Sequence, residues 1–199
     1  MGTPGMWLGN AIGAGAGGLT ALLTVVWASF AIAGSQSLPE GRKAITLISA
    51  AGDTQTIGAV TFTKDGNART FTVALDALEF EDEFLSMRPF RCIKGVKETW
   101  CHVDYPYELK RLITPSDLAD LEYALLFLFK PPAGYGISTW NGLYFKLAAA
   151  EDGAIFGTVH DVNLEPLGVP ADDPAARLIQ ASDLSPADPG THRFARIEI

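Results

Sequence analysis

The sequence has few basic residues, few histidines and few cysteines, and the first of these shortages excludes a class of function. Its 199 residues include 15 Lys and Arg against 23 Asp and Glu, which gives a net charge of -8. Nucleic-acid binding requires clustered basic side chains to neutralise phosphates, and the sequence has no long basic run. We therefore expect no nucleic-acid partner. The length still suffices to bury a core without metal ions or several disulfides.

Recognisable catalytic motifs are also missing. There is no Gly-x-Ser-x-Gly turn to expose a nucleophilic serine. His102 and Asp104 are two residues apart and could share a strand face, but we interpret this pair as a solvated hairpin edge rather than a metal site. We therefore expect no catalytic residues, no metal site, no cofactor and no enzymatic activity. A hydrolase with an unrecognised site is a weaker alternative.

Charge is absent from residues 1–33, so every charged side chain lies beyond them. The uncharged run over residues 7–33 predicts an apolar helix that is either a signal peptide or a membrane anchor. Small residues alternate at Ala31-Ile32-Ala33 before Gly34, as signal peptidase requires, and this favours cleavage. The missing positive charge at the start leaves a retained anchor as the alternative.

These features divide the chain into three parts. Residues 1–33 are the signal peptide or anchor, residues 34–43 form a polar linker, and residues 44–199 form a single antiparallel β domain. We expect a periplasmic location for the domain, or anchoring in the inner membrane facing the periplasm. In the second case residues 7–33 would contact the membrane or a membrane complex.

Two hairpins are predicted from alternating apolar and polar residues around turns. Residues 57–63 and 69–75 alternate in opposite senses on either side of an Asp-Gly turn. Residues 143–147 and 154–164 repeat the design around a second turn. In the second hairpin Phe156, Val162 and Leu164 share one face, and if that face points inward, His160 does as well. We expect an antiparallel sheet of this kind to expose one of its faces to solvent.

The remaining segments predict a mainly β fold with two short helices. A helix begins near residues 114–117 and a strand follows over 123–129. One helical turn over 79–87, a brief helix over 174–180 and a final strand over 193–199 are also expected. Seven or eight strands with short turns are typical of an antiparallel meander barrel or a small sandwich, and we favour the barrel.

The two cysteines can form a disulfide across a strand pair. If Ile93 opposes Trp100, then Cys92 opposes Cys101 at a separation that a disulfide requires. Such a bridge would stabilise the fold by about 2.7 kcal/mol on the chain-entropy estimate. Two free buried thiols are the alternative, and the export segment in the same chain favours the disulfide.

Tyrosine and tryptophan supply the main candidates for a binding site, because they combine a large contact area with a polar tip. They are concentrated in the middle third of the chain: Trp100, Tyr105, Tyr107, Tyr123, Tyr135, Trp140 and Tyr144. From these we select Tyr107, Trp140 and Tyr144, with His160, as predicted ligand-binding residues. The alternatives are that the aromatics fill the core and that His160 is a core histidine bonded to a backbone carbonyl.

Three stretches of the sequence, residues 84–92, 100–108 and 140–144, are similar to an uncharacterised family of small exported bacterial proteins. The resemblance covers about residues 57–165. It implies export and pairing of Cys92 with Cys101, and it implies no activity and no catalytic residues.

Together these observations predict an exported, non-enzymatic periplasmic β domain that binds a small or partly apolar ligand. The alternative is a membrane-anchored accessory or assembly subunit of a membrane protein complex. The two differ in whether residues 1–33 are removed or retained.

Overall fold

The computed structural model describes residues 37–85, 88–169, 173 and 177–199. Residues 34–199 cluster as one compact unit. The predicted apolar helix within residues 1–33 lies outside the described residues, as do residues 174–176 of the brief helix predicted over 174–180; the described residues 177–180 are not helical. Within the described part of the chain, no helix has the length and apolarity needed to cross a membrane.

The described chain is mainly β, with 48% of residues in strands and 8% in helices. Helix α1 spans Ala119–Tyr123, and two 3-10 turns span Glu165–Gly168 and Ala181–Asp183. The twelve strands are β1 (Gly41–Ile48), β2 (Thr54–Asp65), β3 (Ala68–Leu75), β4 (Glu81–Leu85), β5 (Arg88–Ile93), β6 (Thr99–Val103), β7 (Leu112–Ile113), β8 (Leu126–Lys130), β9 (Gly142–Ala149), β10 (Ile155–Val162), β11 (Ser185–Pro186) and β12 (Arg196–Glu198).

The strands form one antiparallel sheet in the order β4-β5-β6-β8-β9-β10-β12-β1-β2-β3-β7, with β11 beside β10. A sandwich would have two sheets, and a barrel would require hydrogen bonds between the two end strands. Among the described residues the order ends at β4 and β7, so the sheet is open and the predicted barrel is not supported. Alternation along the sequence identifies strands and hairpins, but it contains no information on whether distant edges pair.

Both predicted hairpins are confirmed. In the first, Val60 of β2 opposes Val73 of β3 and Phe62 opposes Phe71. In the second, β9 pairs with β10 along its whole length. Local alternation suffices in both cases because the partner strands are joined by a short turn.

The burial expected for β10 is wrong. Ile155 and Val159 are buried in the large core, whereas Phe156 is 48% exposed and His160 is only half-buried. The even-numbered residues do share a face, but apolar neighbours cover that face only at its Val162 end. The sheet is covered on both sides in part, so an apolar side chain on β10 does not by itself mark the inner face.

Several boundaries differ from those expected. Strand β4 replaces the helical turn predicted over 79–87, because residues 81–85 pair with β5. The predicted helix start at Thr114 is a tight turn in which Thr114 and Asp117 exchange backbone hydrogen bonds, so α1 begins only at Ala119. Strand β1 begins at Gly41, within the segment predicted as a linker, and Leu38 is already buried.

The sheet carries an apolar cluster on each face, and neighbouring residues in one strand alternate between them. The larger cluster contains Trp100, Phe127 and Phe145, and the smaller contains Leu128 and Tyr144. Trp100 packs its ring 5.8 Å from Phe127 and 6.1 Å from Phe145.

The predicted disulfide is present in the smaller cluster. Cys92 of β5 opposes Cys101 of β6, beside the pair formed by Ile93 and Trp100, and the two cysteines are bonded. The register expected from the sequence is therefore confirmed. A structural disulfide is compatible with an extracytoplasmic location.

Strand β12 lies in the middle of the sheet, between β10 and β1. Just before β12, Arg193 bridges two other segments of the chain. Its guanidinium donates to the Gln55 side chain at 2.8 Å and to the Lys94 carbonyl at 2.8 Å. Gln55 belongs to β2 and Lys94 follows β5. The segment around β12 therefore ties together two parts of the sheet that are far apart in sequence.

His192, beside Arg193, lies between two carboxylates. Its Nδ1 is 3.2 Å from Glu98 Oε1 and its Nε2 is 2.8 Å from Asp161 Oδ1. Burial by itself would lower the pKa of His192, but the hydrogen bonds to Glu98 and Asp161 outweigh this effect and raise the pKa. Burial by itself would raise the pKa of Glu98. The carboxylate accepts hydrogen bonds from His192, the Trp100 indole and the Arg193 backbone N–H, and these lower the pKa.

We expect this cluster to stabilise the fold most between about pH 4.5 and 6.5, the ordinary pKa values of Glu and His. The raised pKa of His192 means that its contribution is complete below pH 6.5 and is lost as the pH rises through the folded-state value. The lowered pKa of Glu98 means that its contribution is lost as the pH falls through its own. Urea unfolding at a series of pH values measures both.

The matched variants are His192→Gln and His160→Gln. Hydrogen bonds to charged groups contribute about 1.5–3 kcal/mol, so His192→Gln should lose roughly that much near pH 5.5 and less at alkaline pH. His160→Gln is the control substitution and should not show this loss near pH 5.5, because among the described residues the His160 ring is hydrogen-bonded to the Thr158 carbonyl, with Nδ1 at 3.1 Å, and to no carboxylate. A profile of His192→Gln parallel to that of the unaltered protein at all pH values would contradict the expectation.

A second buried charge is the Glu122 carboxylate of α1, which is 1% exposed. It accepts hydrogen bonds from the Leu147 backbone N–H at 2.8 Å, from Lys146 Nζ at 3.0 Å and from the Tyr144 hydroxyl. Burial and the charge of Glu122 raise the pKa of Tyr144 far above its usual value. Glu122 therefore fastens α1 to β9.

Candidate ligand-binding groove

A groove of about 700 Å³ opens beside β3. Phe71, Val73 and Leu75 of β3 form an apolar wall, and β5 and β6 contribute Arg91 and His102. The segment over residues 104–111, which follows β6, lines the remainder. The volume falls in the range of small-molecule sites, and the lining combines apolar side chains with a few charged ones.

Beyond Phe71, the groove side of the β3 backbone has no strand partner among the described residues. The Phe71 N–H donates to the Arg111 carbonyl at 3.0 Å, away from β2, whereas the Asp76 N–H donates toward β2, to the Ile57 carbonyl at 2.9 Å. Since backbone groups alternate along a strand, Val73 and Leu75 also direct their N–H and C=O away from β2. Strand β7 pairs only with residues 69–70. Among the described residues, the groove side of Val73 and Leu75 therefore has no strand partner.

Arg111 lies at the groove with an unusual backbone. Its φ of 54° is in the left-handed region, which costs a non-glycine residue about 1–3 kcal/mol. Arg111 is exposed and is one of the residues that line the groove, and its side chain makes no hydrogen bond or ion pair with any residue that the structure describes. Strain of this kind clusters at ligand sites, which makes Arg111 a candidate for binding an anionic group.

His102 forms a neutral part of the lining. Its Nε2 lies 3.1 Å from the Ala124 carbonyl oxygen, which can only accept, so Nε2 carries the proton. Burial lowers the pKa of His102, and the nearby charge of Arg91 lowers it further, against the opposing effects of Ala124 and Asp104. The expected solvated edge is half correct: Asp104 is 89% exposed, but His102 is buried.

Tyrosine rings extend from the groove into the smaller apolar cluster. Tyr105 contacts Tyr107 with ring centroids 5.6 Å apart and stacks on Tyr123 at 4.6 Å, and Tyr123 meets Tyr144 edge-on at 6.1 Å. Burial raises the pKa of Tyr105, and it raises that of Tyr123 to about 12. Both phenols therefore keep their protons at neutral pH, and the Tyr123 hydroxyl donates to the Ile179 carbonyl at 3.0 Å.

The four predicted ligand-binding residues do not meet at one site. Tyr107 lines the groove, and its hydroxyl donates to the Val169 carbonyl. Tyr144 is buried against Glu122, and His160 is its cross-strand neighbour on β10. Trp140 is 67% exposed in the loop before β9. The structure places only Tyr107 at the groove, and its role in binding stays a prediction.

The sequence interpretation missed the groove's other features, namely the β3 edge, Arg91 and Arg111. Alternation over residues 69–75 identifies β3 as a strand but not which of its edges is free. An Arg in a polar segment has no signal that separates it from an ordinary solvated side chain. Only the path of the chain after β6 brings Arg111 to β3.

Metal binding receives no support from the described part of the chain, where no group of three or more His, Cys, Asp or Glu side chains is arranged to hold an ion.

The chain matches no family model, no curated protein and no solved structure.

Proposed function

We propose that this chain is an exported β domain that binds a small or partly apolar ligand carrying an acidic group, without catalysing a reaction. The observation that carries the proposal is the groove itself, which is lined by the apolar residues Phe71, Val73 and Leu75 and by Arg111, whose guanidinium has no partner among the described residues. An amphiphile fits such a lining, because each part of it meets a matching surface.

Binding without catalysis is supported by the chemistry of the lining. His102 donates a hydrogen bond from Nε2 to the Ala124 carbonyl oxygen, so this nitrogen is already engaged. Burial lowers the pKa of His102, which makes its other ring nitrogen, Nδ1, a weak base toward a bound nucleophile.

Export to the periplasm is supported by two features. The Cys92–Cys101 disulfide is of the kind that persists in oxidising compartments. The uncharged residues 1–33 have the composition of a signal peptide or anchor. The same uncharged segment supports the second candidate, a membrane-anchored accessory subunit of a membrane complex, in which it is retained.

A fluorescence titration with dansyl undecanoate, an anionic amphiphile, tests the binding function. We expect saturable binding at one site, with affinity reduced about tenfold in Arg111→Gln, because a charge-assisted hydrogen bond contributes about 1.5–3 kcal/mol. The matched control is Arg42→Gln, an exposed arginine on β1 that does not line the groove. Absence of saturation, or equal loss in the two variants, would refute the proposal.

A further inference from the structure

The path of the chain at the edge of β3 indicates what kind of ligand the groove is built to hold. Strand β7 runs antiparallel to β3 and pairs with Arg69 and Thr70, and Arg111 still bonds to Phe71. Arg111 has a left-handed φ of 54°, and none of the residues between β6 and Arg111 pairs with β3 as a strand. Strand β3 itself continues to Leu75. The groove therefore lies in line with β7, and none of the described strands continues the line of β7 along β3 beyond Arg111.

The unpaired backbone groups of β3 match an extended polypeptide. Val73 and Leu75 present N–H and C=O groups at the spacing that an added antiparallel strand requires, two residues apart. Recognition by strand addition uses just such an edge, with main-chain hydrogen bonds for affinity and pockets for alternate side chains. A rigid lipid or aromatic ligand would leave these backbone groups unpaired.

The side chains of the same wall define the sequence pattern that fits. Val73 and Leu75 are partly buried against the large core, so they present apolar surface beside the unpaired edge. An added strand would place alternate side chains against them, and apolar or β-branched residues make favourable cross-strand pairs.

The direction of the added strand brings its carboxyl end to Arg111. A strand antiparallel to β3 in the line of β7 runs in the same direction as β7, and therefore runs toward Arg111. The Arg111 guanidinium has no partner among the residues that the structure describes, and it suits a carboxylate, which it can bind through two parallel hydrogen bonds. The direction of the added strand and the charge of Arg111 therefore both indicate a ligand with a carboxylate at its carboxyl end.

We propose that the groove binds an extended peptide segment of a partner protein, which adds to β3 at Val73 and Leu75 and places a carboxylate at Arg111. This inference rests on the proposed function and specifies the ligand as a peptide with alternate apolar residues and an acidic carboxyl end.

The test begins with selection from a display library of random nine-residue peptides with free carboxyl termini, using the full domain. Enriched peptides are synthesised and their affinities measured by fluorescence anisotropy. Val73→Pro removes one groove-facing N–H without touching the ladder to β2, and proline is tolerated at such an edge. We expect Val73→Pro to weaken binding about tenfold, whereas Val73→Thr, which keeps the N–H, binds normally. Amidation of the peptide terminus should weaken binding to the unaltered protein but have little effect in Arg111→Gln.

Should Val73→Pro fail to fold, methylation of alternate peptide nitrogens supplies the same information. One alternating set of methyl groups should abolish binding and the other should not, as strand pairing requires. Selected peptides that are insensitive to Val73→Pro or to both methylation sets would overturn the inference. If no peptide is enriched while dansyl undecanoate still binds, the peptide inference fails and the proposed function stands; if neither binds, both fail.

Discussion

Removal of residues 195–199 is expected to abolish cooperative folding of the domain. Among the described strands, β10 and β1 are joined only through β12, so the truncation deletes both of its ladders. It also deletes Ile197, which is fully buried in the larger cluster. Domains of this kind are stable by only about 5–15 kcal/mol, so loss of a central strand exceeds the margin. Near-ultraviolet circular dichroism and urea unfolding measure the effect.

Single substitutions on β12 separate this structural role from a general effect of truncation. Ile197→Ala should cost about 2–5 kcal/mol, the usual range for emptying a buried aliphatic site. Glu198→Gln, an exposed neighbour on the same strand, should change the free energy of unfolding by less than about 0.5 kcal/mol. A truncated domain with an unchanged urea midpoint would show that β12 does not hold the sheet together.

Replacement of Glu122 by leucine is expected to cost about 1–3 kcal/mol for each of the two buried hydrogen-bond donors that lose their acceptor. The substitution leaves the Tyr144 hydroxyl and the Leu147 N–H without their acceptor inside the protein. Urea unfolding followed by tryptophan fluorescence measures the loss.

The partners of Glu122 should rank below it, in a definite order. Tyr144→Phe removes one hydrogen bond to the carboxylate and should cost about 1.5–3 kcal/mol. Lys146→Met should cost about 0–1 kcal/mol, because the Lys146 side chain is 55% exposed and its ion pair is screened by water. An equal cost for all three variants, or a gain in stability for Glu122→Leu, would contradict the importance given to the buried carboxylate.

Features that depend on neighbouring stretches of chain could be predicted from the sequence. The β2–β3 and β9–β10 hairpins follow from alternation around short turns, and the Cys92–Cys101 bridge follows from the register of one strand pair. In each case the two partners are close in sequence, so the turn fixes the register.

Features that depend on residues far apart in the chain could not be predicted from the sequence. His192 and Glu98 are 94 positions apart, and no local pattern connects them. The face of β10 was misjudged because Phe156 is apolar but exposed. The groove was missed because it consists of a strand edge that lacks a partner, together with an arginine brought there by its backbone path. Periodicity reports which residues are apolar, not which strand edges remain unpaired.

The central position of β12 also has a consequence for synthesis of the protein. Strands β1 and β10 are both synthesised before β12, which is their shared neighbour in the sheet. Each therefore lacks one strand partner until synthesis reaches residue 198. Until then β1 and β10 each present an open edge, and such edges recruit other chains. Contacts between distant residues also form slowly. The nascent domain therefore passes through a long aggregation-prone interval, and we expect its soluble yield to depend on chaperones and on slow, cool expression.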